Sequence, residues 1–393
     1  MLNKTSNEQV RCGQYADQVG GYKAFIPRNL PPNPSVQIDG EMHTLLSKAD
    51  RALGRLDGSI QTLPDPDLFV FMYVRKEAVL SSQIEGTQSS LNDVLEVEAK
   101  VFDKEHPRDV SEVLNYVFAM NYGLDRLAQL PLSVRLIREF HERLMKGVRG
   151  KDKRPGEIRR EQNWIGPSGS SIKEATFVPP PPDTVPDALA GLEKFLHEET
   201  PDIPPLVKIG LAHAQFETIH PFLDGNGRIG RLLITFFLCE QKILMRPVLY
   251  ISHYFRRHQN RYYDLLQSTR DHGDWESWLK FFLSGIAIVS NEATETARRI
   301  VALREDHRRL ILEDFGRAAG NGLTMLEYLY QRPIIQVKEI AELLDISYAG
   351  ANSLVGRLAA SGLLTEVTGQ ARNRRFRYGG YIDLFTDVQP VKV

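Results

Sequence analysis

Apolar residues recur every three to four positions through most of the chain, a spacing that predicts a mainly α protein. The densest run is Leu68, Phe69, Val70, Phe71, Met72, Val74, Val79 and Leu80, within a helix predicted from Asp67 to about Ile84 that should be buried on most sides. A helix over Gly40–Leu56 precedes it, across a proline-rich break at Leu63–Asp67. Further helices are predicted at Ser90–Phe102, capped by Thr87, then at Asp109–Leu130, Ser133–Gly147, Thr184–Glu198 and Pro205–Ile219. Another apolar run spans Leu232–Cys239, followed by helices at Ser252–Arg270 and Trp275–Ala297. Two stretches break the pattern. Residues 1–39 are rich in Pro, Gly and Asn and read as an extended surface segment anchored by Tyr22, Phe25 and Ile26. Between Arg154 and Asp183, two short extended runs flank a Gly/Ser turn, which predicts a β-hairpin.

The last hundred residues change character. Thr296 to about Phe315 is dense in charge and reads as an exposed linker helix. After a break at Gly320-Asn321-Gly322 come short helices at Thr324–Tyr330, Gln336–Leu344 and Tyr348–Ala360, the last with Ser347 as N-cap and Ala351, Leu354, Val355 and Leu358 facing inward. Two strand-like runs follow, Gly362–Val367 and Arg374–Tyr378. This order resembles a winged helix-turn-helix, with Tyr348, Asn352, Ser353 and Arg357 outward on the recognition helix and Arg372, Arg374, Arg375 and Arg377 on a basic wing. Arg357, Arg372, Arg374 and Arg375 are the expected phosphate contacts if this unit binds DNA; such units also serve as protein-interaction modules.

Composition narrows the choices. The 393 residues suffice for two or three domains, and 42% hydrophobic with 25% charged content is that of an ordinary globular protein. A formal net charge of −1 leaves any nucleic-acid surface local. The two cysteines, Cys12 and Cys239, suggest no disulfide framework and hence a reducing compartment. The N-terminus lacks the apolar stretch of a signal peptide, and no run reaches membrane-spanning length, so a cytoplasmic protein with no membrane partner is expected.

The candidate chemistry sits in His220-Pro221-Phe222-Leu223-Asp224-Gly225-Asn226-Gly227-Arg228-Ile229-Gly230-Arg231, between two apolar helices. Pro221 disfavours α conformation at His220, so the first helix should end there with the imidazole at its tip. Asp-Gly and Asn-Gly permit a tight turn. A second helix then starts near Asn226 or Gly227, and its unpartnered N–H groups suit a phosphate. Arg228 and Arg231, three apart, share one face of that first turn. Asp224 can take Mg²⁺, which prefers one or two carboxylates plus phosphate oxygens. His220 has the pKa range of a general base. There is no P-loop; Thr235 stands where a calcium loop needs Glu, and Met145 where a zincin helix beginning at His141-Glu142 needs its second His.

This twelve-residue stretch resembles the complete signature of the Fic family, which transfers AMP from ATP to protein hydroxyls. The resemblance implies a Fic-type helical core with a β-hairpin flap. It implies that His220 deprotonates a target Ser, Thr or Tyr, that Phe222 packs inward, and that Asp224 binds magnesium. Gly225, Asn226 and Gly227 would cradle the α- and β-phosphates, Arg228 the outer phosphates, and Arg231 the γ-phosphate. The phosphorylating Doc branch carries Lys at the position of Gly227, so glycine there favours AMP transfer, although the signature does not exclude phosphocholine transfer.

Ser81-xxx-Glu85-Gly86 is similar to the inhibitory motif of many Fic proteins, whose glutamate pairs with the second signature arginine, here Arg231. Glu85 is also odd on local grounds, since it faces the negative end of a helix dipole. Lys173–Val178, with Thr176, Phe177 and Val178, is expected as the target-facing arm of the flap, reading peptide backbone by strand pairing. Tyr262 resembles the family's aromatic contact to adenine. The expected divisions are an N-terminal helical region with the inhibitory motif (1–105), a catalytic core (106–295), a linker helix (296–319) and the winged unit (320–393). A self-inhibited adenylyltransferase that modifies a target protein and itself, possible as a homodimer, is the first functional reading. A DNA-binding transcriptional regulator whose core senses a nucleotide without turnover is the second, and an intact His220 argues against it.

Overall fold

The computed structural model describes residues 11–61, 63, 66–100, 109–147, 153–167, 169–200, 202–370 and 372–386. A hairpin, β1 (Gly13–Gln18) with β2 (Tyr22–Pro27), precedes α1 (Gly40–Gln61), α2 (Pro66–Ile84), α3 (Leu91–Glu98), α4 (Val110–Leu127) and α5 (Val134–Leu144). Then come α6 (Val185–His197), α7 (Pro205–Ile219), α8 (Asn226–Glu240), α9 (Ser252–Arg257), α10 (Gln259–His272) and α11 (Trp275–Asp314). The C-terminal unit holds α12 (Ala319–Gln331), β3 (Ile334–Gln336), α13 (Val337–Leu344), α14 (Tyr348–Ala360), β4 (Thr365–Glu366), β5 (Arg375–Arg377) and α15 (Gly379–Ile382). The mainly α class and most helix positions are as the periodicity predicts.

At the centre lie α7 and α8. Every α7 residue from Leu206 to Ile219 is buried, as an all-round apolar helix must be. Its buried polar side chains mostly find partners: Lys208 donates to the Glu198 carbonyl at 2.7 Å and Gln215 to the Arg28 carbonyl at 2.8 Å. Helices α2, α4, α10 and α11 pack around this pair. Trp278 of α11 donates its indole N–H to the Gly210 carbonyl at 2.8 Å, locking the long helix to the centre.

Several expectations change. The N-terminal segment is a hairpin rather than an extended strip, and Phe25 is its buried anchor. Helix α3 is capped by Ser90, not Thr87: Ser90 and Asp93 form a capping box. Its expected end at Phe102 lies outside the described residues, as does the stretch 1–10. The helix expected at Ser252–Arg270 breaks at His258 into α9 and α10. The core helix and the charged linker are one 40-residue helix, α11, because Ile300 and Ile311 keep an apolar stripe buried along its charged part. No break occurs at Gly320–Gly322, which lies inside α12; Gly322 is where the backbone passes Ile311 and Phe315, with a Cβ there only 2.8 Å from Ile311 Cγ2. The turn falls instead at Gly316–Ala318.

Among the described residues the C-terminal unit has four helices and an antiparallel sheet ordered β3-β5-β4. The expected inward residues Ala351, Leu354, Val355 and Leu358 are buried, and Ser347 caps α14 through the Gly350 N–H. This unit is not detached from the core. Tyr330 stacks on Phe69 of α2 (centroids 6.3 Å apart), and Phe385 meets Tyr73 edge-on at 5.2 Å.

Candidate active site

Helix α7 ends at His220, whose backbone takes φ 49° and ψ 59°. Pro221 blocks the α alternative. A left-handed non-glycine residue costs roughly 1–3 kcal/mol and persists only where its surroundings impose it. The His220 Nδ1 lies 3.3 Å from the Glu217 carbonyl, which can only accept, so Nδ1 carries the proton and Nε2 is left as the basic nitrogen. Burial, helped by the Arg270 and Arg159 guanidiniums, lowers the imidazole pKa to about 4 and keeps it neutral.

Gly225, at φ 77°, is the N-cap of α8. The side chain of Asn226 closes the loop upon itself: its Oδ1 accepts from the Phe222 N–H and its Nδ2 donates to the Phe222 carbonyl, both at 2.8 Å. Asn226 thus shapes the turn with its side chain, and any phosphate contact is left to the backbone N–H groups of the first turn. The Asp224 carboxylate is 44% exposed; its Oδ1 accepts from the Gly225 N–H at 2.6 Å and lies 3.6 Å from Arg228. Among the described residues there is no cluster of three or more His, Cys, Asp or Glu fit for a metal. A lone exposed carboxylate suits a magnesium ion that takes its other ligands from phosphate and water. Arg228 is buried, 3.2 Å from Glu112 and 3.8 Å from the Met145 sulfur, and its Nε has no hydrogen-bond partner.

Arg231, 1% exposed, is held by the end of α2. Its Nε donates to Ser81 Oγ at 2.8 Å, and its Nη2 to the Ser81 carbonyl at 2.9 Å and to Glu85 Oε1 at 2.6 Å. Burial works to raise the Glu85 pKa, but the Arg231 charge outweighs it and holds the carboxyl below its usual range. The carboxylate lies directly against Gly227, where a Cβ would clash with Oε1. Any side chain at position 227 would contest the space Glu85 fills. Helix α2 ends at Ile84, and Gly86 follows at φ 94°.

Several residues around this site escaped the sequence reading. His141 is fully buried, stacks on Phe222 with centroids 3.7 Å apart, accepts from the Gly156 N–H at 2.8 Å and donates to the Asp224 carbonyl at 3.1 Å. Burial lowers its pKa to about 4. Its ring and the inward-packed Phe222 fix the loop from below. Glu77, one turn before Ser81 on the same face of α2, is buried and accepts from the Ser252 backbone N–H at 3.1 Å and from Tyr116 at 3.3 Å, with its pKa raised to about 7 by burial. Arg159 and Arg270 flank His220. No spacing rule marks any of them, because each acts through contacts distant in sequence.

Three expectations are corrected here. Tyr262 is 1% exposed, bonded through its hydroxyl to His213 at 3.0 Å and stacked on Phe255. It is a core residue, and the exposed ring beside it is Tyr263, 44% exposed and close enough to Glu85 to feel its charge. Among the described residues the hairpin expected at 154–183 reduces to a single antiparallel bridge, Ile165 with Phe177, around a 3-10 turn at Ile172–Glu174. Thr176 is exposed, but the Phe177 and Val178 side chains are buried: Phe177 packs on Phe25 and under Arg270, and the Val178 carbonyl accepts from the Phe25 N–H at 2.9 Å. Finally, most of the expected DNA contacts are engaged within the chain. Arg357 donates to the Asp314 and Phe315 carbonyls, Arg374 to Asn352 at 2.7 Å, and Arg375, 6% exposed, to the Lys100 carbonyl at 2.8 Å. Arg357 and Arg372 are exposed, and Arg374 is half-buried.

Residues 43–125 match the Fic/DOC family N-terminal model, and residues 131–238 the Fic/DOC family model. Over 200 residues, half of the chain, the sequence is 30% identical to the protein adenylyltransferase Fic of Drosophila yakuba, covering 35% of that protein. It is 33% identical to a probable protein adenylyltransferase of Aquifex aeolicus over 45% of the chain and 51% of the relative. The chain therefore spans about half or less of the curated relatives it matches. A Fic family protein from Desulfovibrio desulfuricans superposes with a TM-score of 0.58 at 22% identity, over 87% of the chain and 97% of the neighbour, which shows the shared fold.

Proposed function

Because the chain carries Fic/DOC-family domains at residues 43–125 and 131–238, we propose that it transfers AMP from ATP to a Ser, Thr or Tyr hydroxyl of a protein, itself included, and that Glu85 restrains the reaction. One arrangement supports this reading above the others. The Glu85 carboxylate, just past the end of α2, bonds Arg231, lies against Gly227 in the first turn of α8, and is close enough to His220 for the two to feel each other's charge.

The triphosphate would lie over the N-terminus of α8, with its outermost phosphate taking the Arg231 contacts now made to Glu85. Nε2 of His220 takes the proton of the target hydroxyl. That oxygen forms a bond to the α-phosphorus, the bond from the α-phosphorus to the bridging oxygen breaks, and pyrophosphate leaves. Asp224 would hold the Mg²⁺ that accompanies ATP, whose charge offsets that of the phosphates. While Glu85 pairs with Arg231, the γ-phosphate has no place to sit and the α-phosphorus is not aligned with the hydroxyl. Tyr263 is the ring placed to meet the base. Among the described residues no helix is long and apolar enough to cross a membrane.

Incubation of the full chain with Mg²⁺ and ATP labelled at the α-phosphorus tests this. Label should appear on protein, including the chain itself, and vanish in His220→Ala. Label that persists in His220→Ala would remove the base from the reaction.

A further inference from the structure

Arg159 is an arginine whose guanidinium meets carbonyls. It is 2% exposed. Its Nε donates to the His220 carbonyl at 2.9 Å, its Nη2 to the Pro180 carbonyl at 2.6 Å and the Ile219 carbonyl at 3.3 Å, and its Nη1 to the Glu161 carbonyl at 3.3 Å. Its own backbone N–H donates to the Pro221 carbonyl at 2.9 Å. So three consecutive carbonyls, Ile219, His220 and Pro221, are gripped by one residue. They belong to the C-terminal end of α7, where helix carbonyls have no intrahelical partner and carry negative partial charge. The other two carbonyls belong to the 161–180 segment that carries the candidate flap. Asn163 adds to the grip, donating to the Phe222 carbonyl at 2.9 Å and the His220 carbonyl at 3.4 Å.

We propose that Arg159 is a positioning residue for the base: it holds His220 in its left-handed backbone conformation, and so fixes where the imidazole points, while tying that turn to the flap. The inference rests on the adenylyltransferase reading for its kinetic consequence only. Two observations carry it. His220 sits in a left-handed conformation that is costly for a non-glycine residue, and the carbonyl on each side of its α-carbon, Ile219 and His220, is bonded to this guanidinium. The planar five-donor fork can serve several carbonyls at once; a lysine ammonium reaches fewer and lacks the planar geometry.

Arg159 also bears on the charge of the base. The groups around His220 are Arg270 from α10, Arg159 from the 154–183 segment, Glu85 from the end of α2, and Glu217 on its own helix through its carbonyl. Burial and the two arginines lower the imidazole pKa, while the Glu217 carbonyl and Glu85 oppose them. Removing the Arg159 charge therefore moves the imidazole upward, and replacing it by another cation does not. Geometry and charge separate cleanly between two substitutions.

The test measures AMP transfer in the Glu85→Gly chain carrying Arg159→Lys or Arg159→Met, and in parallel follows the His220 imidazole by NMR titration in otherwise wild-type chains. Both substitutions should lower kcat by about tenfold to a hundredfold, the range a misplaced reacting group produces, with KM for ATP little changed. The imidazole should stay depressed in Arg159→Lys and rise in Arg159→Met, while remaining below the ordinary value of about 6.5 because burial and Arg270 still act on it. Asn163→Ala, at a half-buried position, removes the weaker partner and should lower kcat by a smaller factor. It decides the matter if the Arg159 variants do not fold. A kcat that stays at the parent value in folded Arg159→Lys, or in Asn163→Ala where the arginine variants fail, would overturn the proposal, as would a loss expressed in KM alone. If Glu85→Gly itself transfers no AMP, the functional reading fails instead, and the NMR titration still decides whether Arg159 sets the state of His220.

Discussion

The first turn of α8 and the β4–β5 wing both carry closely spaced arginines, and two of them, Arg231 and Arg375, meet opposite surroundings. Arg231 of α8 is bonded to a carboxylate and a serine on another helix, at the mouth of an anion-binding helix start. A phosphate can replace that carboxylate with the same charge-assisted bonds. Arg375 of the wing meets a group that does not exchange for a ligand, the Lys100 carbonyl at 2.8 Å, while its neighbours face side chains: Arg374 reaches Asn352 with Glu366 3.6 Å away, and Arg377 pairs with Asp383 at 2.6 Å. A charge held by a displaceable anion belongs to a switchable site. A charge held by backbone carbonyls belongs to the scaffold.

The sharpest way to break this contrast is at the base. His220→Ala in the Glu85→Gly chain should lower AMP transfer by about 10²–10⁴-fold, the usual contribution of a general base, while calorimetric ATP binding persists. Next is the displaceable anion. A charge-assisted contact is worth about 1.5–3 kcal/mol, so Glu85→Gly should raise AMP incorporation by roughly tenfold or more, measured as initial rates at equal protein concentration. If the rate merely matches wild type, the Arg231–Glu85 pair is scaffold like the wing contacts.

Acidity sharpens the comparison further. The pKa of His220 is lowered to about 4, so its basic form is already full at neutral pH. In Glu85→Gly, kcat/KM for the target should stay level as pH falls through about 6.5, where an ordinary histidine loses half its base, and should decline only as pH approaches the lowered value. Because Arg231 holds the Glu85 pKa below its usual range, the wild-type chain should remain inhibited throughout that window. A wild-type rate that climbs to the Glu85→Gly level at mildly acid pH would contradict this.

Smaller effects are expected in the wing. Arg375→Met leaves the Lys100 carbonyl without its donor and should lower unfolding stability by about 1–3 kcal/mol in urea titration, whereas Arg372→Ala, on the surface, should leave it unchanged. The same Arg372→Ala should alter duplex DNA binding only slightly, with the salt slope changing by about one unit, and binding should stay in the weak non-specific range. Tight, sequence-dependent binding would mean that the engaged arginines let go of their carbonyls.

Local patterns were legible where chemistry and geometry both follow from neighbours in sequence. The end of α7 at His220 follows from Pro221, the start of α8 at Asn226 from the Asp-Gly and Asn-Gly turns, and the Ser347 cap of α14 from its side chain. The Ser81 and Glu85 pairing with Arg231 came from family resemblance; one helical turn of spacing allows it but does not require it. What stayed hidden depends on tertiary packing. Tyr262 and Tyr263 are adjacent, so helical geometry turns one inward and the other out, and only the position of His213 and Phe255 decides which. The charge of the 296–315 stretch hid two buried isoleucines that make it one helix with the core. Arg159 announces nothing in sequence and His141 only a zincin helix that fails at Met145, because their partners here, backbone groups and the Phe222 ring, are brought near by folding.

The most direct measurement is a paired incubation of the Glu85→Gly chain with Mg²⁺ and ATP labelled either at the α- or at the γ-phosphorus, followed by separation of protein from pyrophosphate. Label from the α position should remain on protein while γ label leaves as pyrophosphate, and both should fail with His220→Ala. Retention of γ label on protein, or no label from either position, would contradict AMP transfer from a triphosphate seated on the first turn of α8.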